Sequence, residues 1–393
     1  MTRRRLLMLT SRVPFVQAGG DRVRFMHLAR ALARDFDLTL LALSEQPVPL
    51  DTLSCHDPFA SITIVTLPRW RSYLNTFLAL PTGIPLQLAY YRSRRYRDLI
   101  RQALPQHAGV VAHLVRTGQY VENVADERPT MLDMTDAISL NYLRVRQLGR
   151  RSWRHWIYAL EQKRIETYER KAAATVTEAW LVSRVDSEFL FGDHPPANVA
   201  CLPVPVDLNE FRFIEEARGD TIIFIGNMRT VQNRDACQWF CKEVLSVLRL
   251  QIPSIRLRII GPIDSFCRAE FESIPGVEVR GEVISIRDHL EDSFCGVCPM
   301  RIGAGMQNKI LNYLALGLPC VTSLLGLEGI EVEPEKDLLC FSSVHQAVEQ
   351  IVALHSKPDL RETLRHNGIS AVKKYDTTVV YQNIRDRVHQ RLQ

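Results

Sequence analysis

The chain has 393 residues, 46% of them hydrophobic and 24% charged, with a formal net charge of +5. That length is too great for one ordinary core and predicts two domains; the composition excludes a disordered or fibrous chain, and no run of roughly 18 uncharged apolar residues offers a bilayer-spanning helix. Residues 1–205 carry 27 Lys+Arg against 19 Asp+Glu, net +8, while residues 206–393 carry 22 against 25, net −3, so the first half is the one that faces something anionic.

The start, "MTRRRLLMLTSRVP", is basic, then apolar, then polar. Its apolar stretch is four residues, below the ~7 to 15 that a signal peptide needs, so a first strand over 4–10 and a cytoplasmic protein are predicted. "QAGGDRVR" follows, with Gly19 and Gly20 before an amphipathic helix over 21–36. A double glycine there serves either a plain turn or close backbone approach to a ligand. Apolar runs at 38–44, 109–115 and 129–134 read as strands. His113 ends one of them and is either a structural histidine or a group that orients a hydroxyl. Asp136 follows another and is either the cap of the next helix or a ligand. "YYRSRRYRDLIRQAL" (90–104) packs five arginines into ten residues, and 144–174 is a long basic helical segment with Trp153, Trp156 and Tyr158. Both read as solvated helical faces or as a surface resting on anionic lipid. No helix-turn-helix, zinc finger or aromatic-basic RNA signature accompanies the charge, so nucleic acid is not an expected partner. Strand then helix is read over 179–190.

"CLPVPVDLNEFRF" (201–213) is proline-interrupted and extended, a linker and hinge. The pattern then restarts: strand 221–228 ending in Gly226–Asn227, helix 233–250, strands at 255–262, 277–283 and 294–300, a helix at about 307–316, and further strands in "CVTSLLG" and "LLCFSS". Short apolar strands alternating with helices predict a parallel sheet covered on both faces in each half. Nine cysteines, including Cys295 and Cys298 as CxxC, are scattered without the second pair a zinc site needs; they read as small apolar residues in buried strands.

Ligands of open parallel sheets sit at the carboxyl ends of the strands. There "RIGAGMQNKILNYLALGLPCV" (301–321) places Gly303 and Gly305 before a helix, with Arg301 and Lys309 at the same end. Backbone amides, a helix N-terminus and two cations suit a diphosphate. The stretch is neither GxGxxG nor a GK[ST] P-loop.

Four stretches carry a family resemblance: "SRVPFVQAGGDRVRFMHLARAL", "PVPVDLNEF", "TIIFIGNMRTVQNRDACQWF" and "RIGAGMQNKILNYLALGLPCVTSLLGLEGI". They resemble retaining glycosyltransferases of family 4, which have the GT-B fold, over nearly the whole chain. "MLDMTDAISLNYL", "EQKRIETYER" and "LVSRVDSEFL" are closest in look to bacterial sugar transferases of exopolysaccharide and exosortase (PEP-CTERM) loci. The resemblance implies two Rossmann-like domains with parallel sheets facing across a cleft: 1–203 with a returning helix at about 376–393 on the acceptor side, and 204–375 holding the nucleotide sugar, closing about the 201–213 hinge.

It implies sugar transfer from a nucleotide-diphosphate sugar to the hydroxyl of a glycan, lipid-linked or small-molecule acceptor, with retention, no cofactor and no metal. Lys309 and Arg301 would steady the leaving diphosphate, with His113 and Asp136 on the acceptor side. Donor contacts would come from Gly19, Gly20, Gly226, Asn227, Gly303, Ala304, Gly305, Met306, Asn308, Asn312 and Glu328. Asn312 stands where the family usually has a glutamate that accepts from the ribose hydroxyls, and Ala304 stands where an earlier acid is often found. The alternatives are a catalytically silent partner subunit and a nucleotide-sugar epimerase. Peripheral contact with the inner face of an anionic membrane is a further expectation.

Overall fold

The computed structural model describes residues 3–15, 20–48, 57–122, 124–147, 154–211, 213–214 and 216–393; of residues 154–158 it describes the backbone only. Gly19, Cys55 and Trp153 lie outside the described residues, as do the side chains of Trp156 and Tyr158. The chain divides into two compact units, Met1–Pro203 together with Thr378–Gln393, and Val204–Thr377.

The first unit is a seven-stranded sheet. Its strands are β1 (Arg5–Thr10), β2 (Asp37–Ser44), β3 (Phe59–Thr66), β4 (Gly109–His113), β5 (Thr130–Thr135), β6 (Glu178–Leu181) and β7 (Val199–Cys201). All pair in parallel, in the order β3-β2-β1-β4-β5-β6-β7. Central β1, β4 and β5 are buried almost end to end, because helices on both faces leave neither side of a parallel sheet in water. Edge strand β3 alternates instead. Strand order reverses between β1 and β4, which opens a crevice at their carboxyl ends.

The last helix, Thr377–Arg391, belongs mostly to this unit. It buries Val380, Tyr381, Ile384 and Val388 in the same core as Leu28 and Leu32, each aliphatic group contributing about 1.5–3 kcal/mol of transfer free energy. The buried Glu178 carboxylate holds it by charge, accepting from Arg387 at 2.7 Å and Arg391 at 2.6 Å.

The second unit repeats the plan with six strands: β8 (Thr221–Ile225), β9 (Arg256–Ile260), β10 (Val277–Gly281), β11 (Ser293–Cys298), β12 (Cys320–Ser323) and β13 (Leu339–Phe341). Their order, β10-β9-β8-β11-β12-β13, again reverses at the first strand. Cys295 and Cys298 are fully buried in β11. The expected helix over 233–250 starts at Val231, capped by Thr230, and widens into a π-helical segment at Phe240–Leu245 before ending at Gln251. The strand expected from "CVTSLLG" stops at Ser323: its Oγ accepts from the Gly326 amide at 3.1 Å and turns the chain into the helical turn Leu324–Leu327. Each unit is therefore a Rossmann-like α/β sandwich. Among the described residues, no helix is long and apolar enough to cross a membrane.

Candidate functional site

In the second unit, the carboxyl end of β11 runs into the turn 301–307 and the helix Asn308–Leu316. Gly303 (φ 148°) and Gly305 (φ 70°) adopt backbone that a side chain would strain. The helix has no acidic residue in its first turn, and its N-cap, Gln307, offers no side-chain acceptor. Its positive end is thus left for an outside anion. Tyr313 fixes the helix in place. The ring lies flat against Gly296, where a Cβ would meet it at 2.6 Å, and the hydroxyl accepts from Ile225 N at 2.8 Å.

Lys309 is buried at this end, 7% exposed. Its Nζ donates to Asn233 Oδ1 at 2.7 Å, lies 3.3 Å from Met300 Sδ, and sits 5.0 Å from the centre of the Phe224 ring. Among the described residues it has no carboxylate partner. Burial pulls its pKa below the ordinary 10.5, since desolvation penalises the charged form. Asn233 joins two loops: its Nδ2 donates to the Asn227 carbonyl at 3.1 Å while its Oδ1 holds Lys309. Gly226 is required beneath it, because a Cβ there would meet Asn233 Cγ at 2.9 Å.

Arg301 is placed differently from Lys309. It is exposed and already paired, its Nε and Nη2 donating to Asp235 at 3.0 and 2.7 Å, with its guanidinium 5.7 Å from the Trp239 ring centre. A cavity of about 230 Å³ beside it is lined by Trp239, Ser323, Leu324 and Phe341. That is smaller than a typical ligand site of about 300–1,000 Å³, so it would take one part of a ligand rather than the whole.

The structure brings Gly226, Asn227, Gly303, Ala304, Gly305, Met306, Asn308 and Lys309 to the carboxyl ends of β8 and β11. Asn308 Oδ1 is buried without a hydrogen-bond partner among the described residues. Asn312, one turn on, is half-buried. Glu328 follows the turn Leu324–Leu327. Asn233 and Asp235 were not singled out from the sequence. Their signal was there, in "QNRDA" directly after the Gly-Asn strand end, but their partners lie 76 and 66 residues away.

In the first unit, Gly20 begins the helix Gly20–Leu32 and Gly19 is undescribed. His113 and Asp133 share a buried network with Arg24. Arg24 donates to Asp133 from Nε at 2.9 Å and Nη2 at 2.6 Å, and from Nη1 to the Leu202 carbonyl at 3.0 Å. His113 Nδ1 lies 2.7 Å from Asp133 Oδ2, and its Nε2 lies 2.9 Å from the Asp21 carbonyl. Both ring nitrogens are engaged, and the residue is 1% exposed, the structural role that the sequence left open. Burial alone would raise Asp133, but Arg24 and His113 hold the carboxyl well below the usual carboxylate range.

Asp136 does not cap the following helix. Its neighbours' amides take other carboxylates: Ala137 N donates to Asp186 at 2.9 Å and Ile138 N to Glu169 at 2.7 Å. Burial and the nearby Asp186 push Asp136 up to about 7. Two non-glycine residues with left-handed φ flank these groups: Leu114 (70°) after His113 and Thr135 (69°) before Asp136. Such backbone costs about 1–3 kcal/mol per residue and gathers at functional sites. Nearby, Arg12 and Arg116 share one carboxylate, Asp21, at 3.5 and 3.8 Å. Arg116 is buried against Tyr91, and its Nε has no hydrogen-bond partner among the described residues. Among the described residues, no group of three or more His, Cys, Asp or Glu could hold a metal ion.

Residues 219–357 match the family model described as "Glycosyl transferases group 1". No curated protein matches the chain significantly. Among solved structures, sucrose-phosphate synthase from Thermosynechococcus elongatus is similar over 99% of both chains at 14% identity, TM-score 0.75. Anabaena HepE, solved with UDP and glucose, is similar over 98% of this chain and 99% of its own at 12% identity, TM-score 0.70. A variant of S. aureus TarM, solved with Fondaparinux, alpha-GlcNAc-glycerol and UDP, is similar over 99% of both at 8% identity, TM-score 0.68. At these identities the likeness is one of fold: the chain has the two Rossmann-like units of the GT-B fold.

Proposed function

We propose that the chain is a retaining glycosyltransferase of family 4 that moves a sugar from a nucleotide-diphosphate donor to an acceptor hydroxyl in polysaccharide or other glycoconjugate synthesis. The observation that carries this is Lys309: a buried ammonium with no carboxylate partner among the described residues, beneath a glycine turn and an uncapped helix N-terminus, inside the stretch that matches the group 1 model. A departing diphosphate is the anion such a site suits, and fixed cations and dipoles there lower the barrier without a metal. Two of the similar structures were solved with UDP, one of them with glucose and the other with alpha-GlcNAc-glycerol, which supports a nucleotide-sugar donor.

The acceptor side is the carboxyl end of β4 and β5. Strained Leu114 and Thr135 and the raised Asp136 mark it. Arg12, Arg22 and Arg116 crowd around Asp21, and that positive cluster supports a phosphorylated or lipid-linked acceptor. Peripheral contact with an anionic membrane fits the net charge of +8 on residues 1–205.

Asn312 favours a second reading, a partner subunit that binds but does not turn over. The two separate cleanly. Wild-type protein is titrated with UDP-, GDP-, ADP- and dTDP-sugars, and acceptor-dependent release of nucleoside diphosphate is measured for any that bind. Binding and release with a retained anomer by NMR is the expected result. Binding without release assigns the silent subunit, and no binding by any donor removes both.

A further inference from the structure

The helix Arg69–Ala79, sequence RWRSYLNTFLA, is packed inside out. Its inward face is small: Ser72 and Ala79 are buried, and Thr76 is half-buried. Its outward face is large and apolar. Trp70, Tyr73, Leu74, Phe77 and Leu78 are 63%, 63%, 48%, 69% and 62% exposed, at the spacing i, i+3, i+4, i+7, i+8 that makes one helical stripe. Leu80 and Ile84 continue it, and Arg164, which donates to the Leu80 carbonyl at 3.0 Å, brings exposed Leu160 of the neighbouring helix alongside. Soluble surfaces rarely carry a contiguous apolar patch beyond a few hundred Å² unless something covers it, and three aromatic residues alone can bury about 150–250 Å² each.

The charge around the patch says what covers it. Residues 58–97 contain no Asp or Glu and six arginines: 69, 71, 92, 94, 95 and 97. Arg69 reaches out of the segment to Glu45; Arg92, Arg94 and Arg95 are exposed. The helix is tied to their loop, Asn75 Nδ2 donating to the Arg92 carbonyl at 2.9 Å and Tyr73 packing edge-on against Tyr90 at 5.7 Å. An apolar stripe with Trp and Tyr and no acid of its own, rimmed by arginines of which Arg69 is paired with Glu45, matches a bilayer interface: aromatic rings at headgroup depth, arginines against lipid phosphate. A protein partner would need acids facing these arginines, whereas a lipid surface supplies that charge everywhere.

We propose that this face, Trp70–Ile84 with Arg71, Arg92, Arg94 and Arg95, seats the first unit on an anionic phospholipid membrane. The inference sharpens the membrane contact raised above: it centres on the helix Arg69–Ala79 and takes in three arginines of the 90–104 segment. It does not depend on the transfer reaction.

The test uses the full chain and extruded vesicles of phosphatidylcholine with and without about a third phosphatidylglycerol. Co-flotation is expected with the anionic vesicles and not with pure phosphatidylcholine, with a blue shift in tryptophan emission that Trp70→Phe removes. Phe77→Ser with Leu78→Ser should lower the partition on the order of tenfold or more, with an unchanged circular dichroism spectrum and melting temperature. Arg92, Arg94 and Arg95→Gln should remove the dependence on phosphatidylglycerol. Wild-type protein that stays with the unbound fraction, or a serine variant that floats as well as wild type, overturns the proposal. So does a wild-type dimer by sedimentation that the serine variant dissolves without any change in flotation, since the face would then meet a second copy.

Discussion

Lys309 Nζ lies 2.7 Å from Asn233 Oδ1, so this buried cation rests on an amide rather than on a carboxylate. Arg301, eight residues earlier in the chain, is fully matched by Asp235. The two cations are therefore unequal partners for a diphosphate. Lys309→Ala should weaken nucleoside diphosphate binding about 10- to 100-fold, the size of a lost charge-assisted hydrogen bond in a dry site. Arg301→Ala should cost about fivefold or less. Titration calorimetry on UDP and the other diphosphates decides; equal losses would show that Asp235 releases Arg301 on binding.

The lowered pKa of Lys309 gives this site a pH signature. The folded protein holds that proton less tightly than the unfolded chain, so burial of the cation costs stability below pH 10.5 and the cost fades as pH rises through the lowered value toward 10.5. A bound diphosphate favours the charged form of Lys309. Binding should take up protons as pH nears and passes the lowered value and weaken beyond it, which calorimetry in buffers of different ionisation enthalpy measures. In Lys309→Met both effects should vanish, and the unliganded variant should melt higher than wild type.

Asn312 is half-buried on the same helix, one turn beyond Asn308. A neutral amide accepts more weakly from a hydroxyl than a carboxylate does. Asn312→Glu should tighten UDP by about fivefold, and 2′,3′-dideoxy-UDP should show no gain. Equal gains for both nucleotides would place the new carboxylate away from the ribose.

Much of this was legible from the chain, and the limits are physical. Uninterrupted apolar runs such as Leu6–Leu9 and Phe294–Cys298 can only be buried strands between helices, so both sheets were readable. The three-residue β7 and the half-exposed β3 were too short or too mixed to register. The glycine turn and Lys309 were legible because they are local. Asn233, Asp235 and the two carboxylates that cap Ile138–Gln147 were not, because their pairings are set by which strands become neighbours. The stripe on Arg69–Ala79 has ordinary amphipathic spacing; periodicity defines a face but not the direction it points.

In the first unit, Asp133 neutralises Arg24 where neither reaches water. Asp133→Asn should destabilise by roughly 3–5 kcal/mol, since it strands a buried guanidinium, and lower the melting temperature by roughly 10 °C. Asp133 is held below its ordinary 3.8, so its share of stability is present above pH 3.8 and is lost as pH falls through the lowered folded value. The gap between wild type and variant should stay constant from pH 7 to pH 4 and narrow in stronger acid. A gap that closes near pH 6 would assign the coupling to a different group.

Glu169 works in the opposite sense. Fully buried, it accepts from Ile138 N at 2.7 Å and from the Ser139 hydroxyl, yet burial outweighs both and pushes it up to about 8 from an ordinary 4.5. Asp136, raised to about 7, lies close enough to add repulsion. The folded protein thus binds more protons than the unfolded chain between pH 4.5 and about 8, and stability falls as pH rises across that window. Glu169→Gln keeps an acceptor for Ile138 and carries no charge to desolvate. Its melting temperature should fall less steeply than wild type, keeping only the decline that Asp136 adds up to about pH 7 and levelling off from there to pH 9; it should lie below or equal to wild type at the acid end and above it at pH 9. Thermal melts at half-unit intervals measure this directly. If the variant keeps the wild-type slope, the titrating group is Asp136 alone, and Asp136→Asn should then remove it.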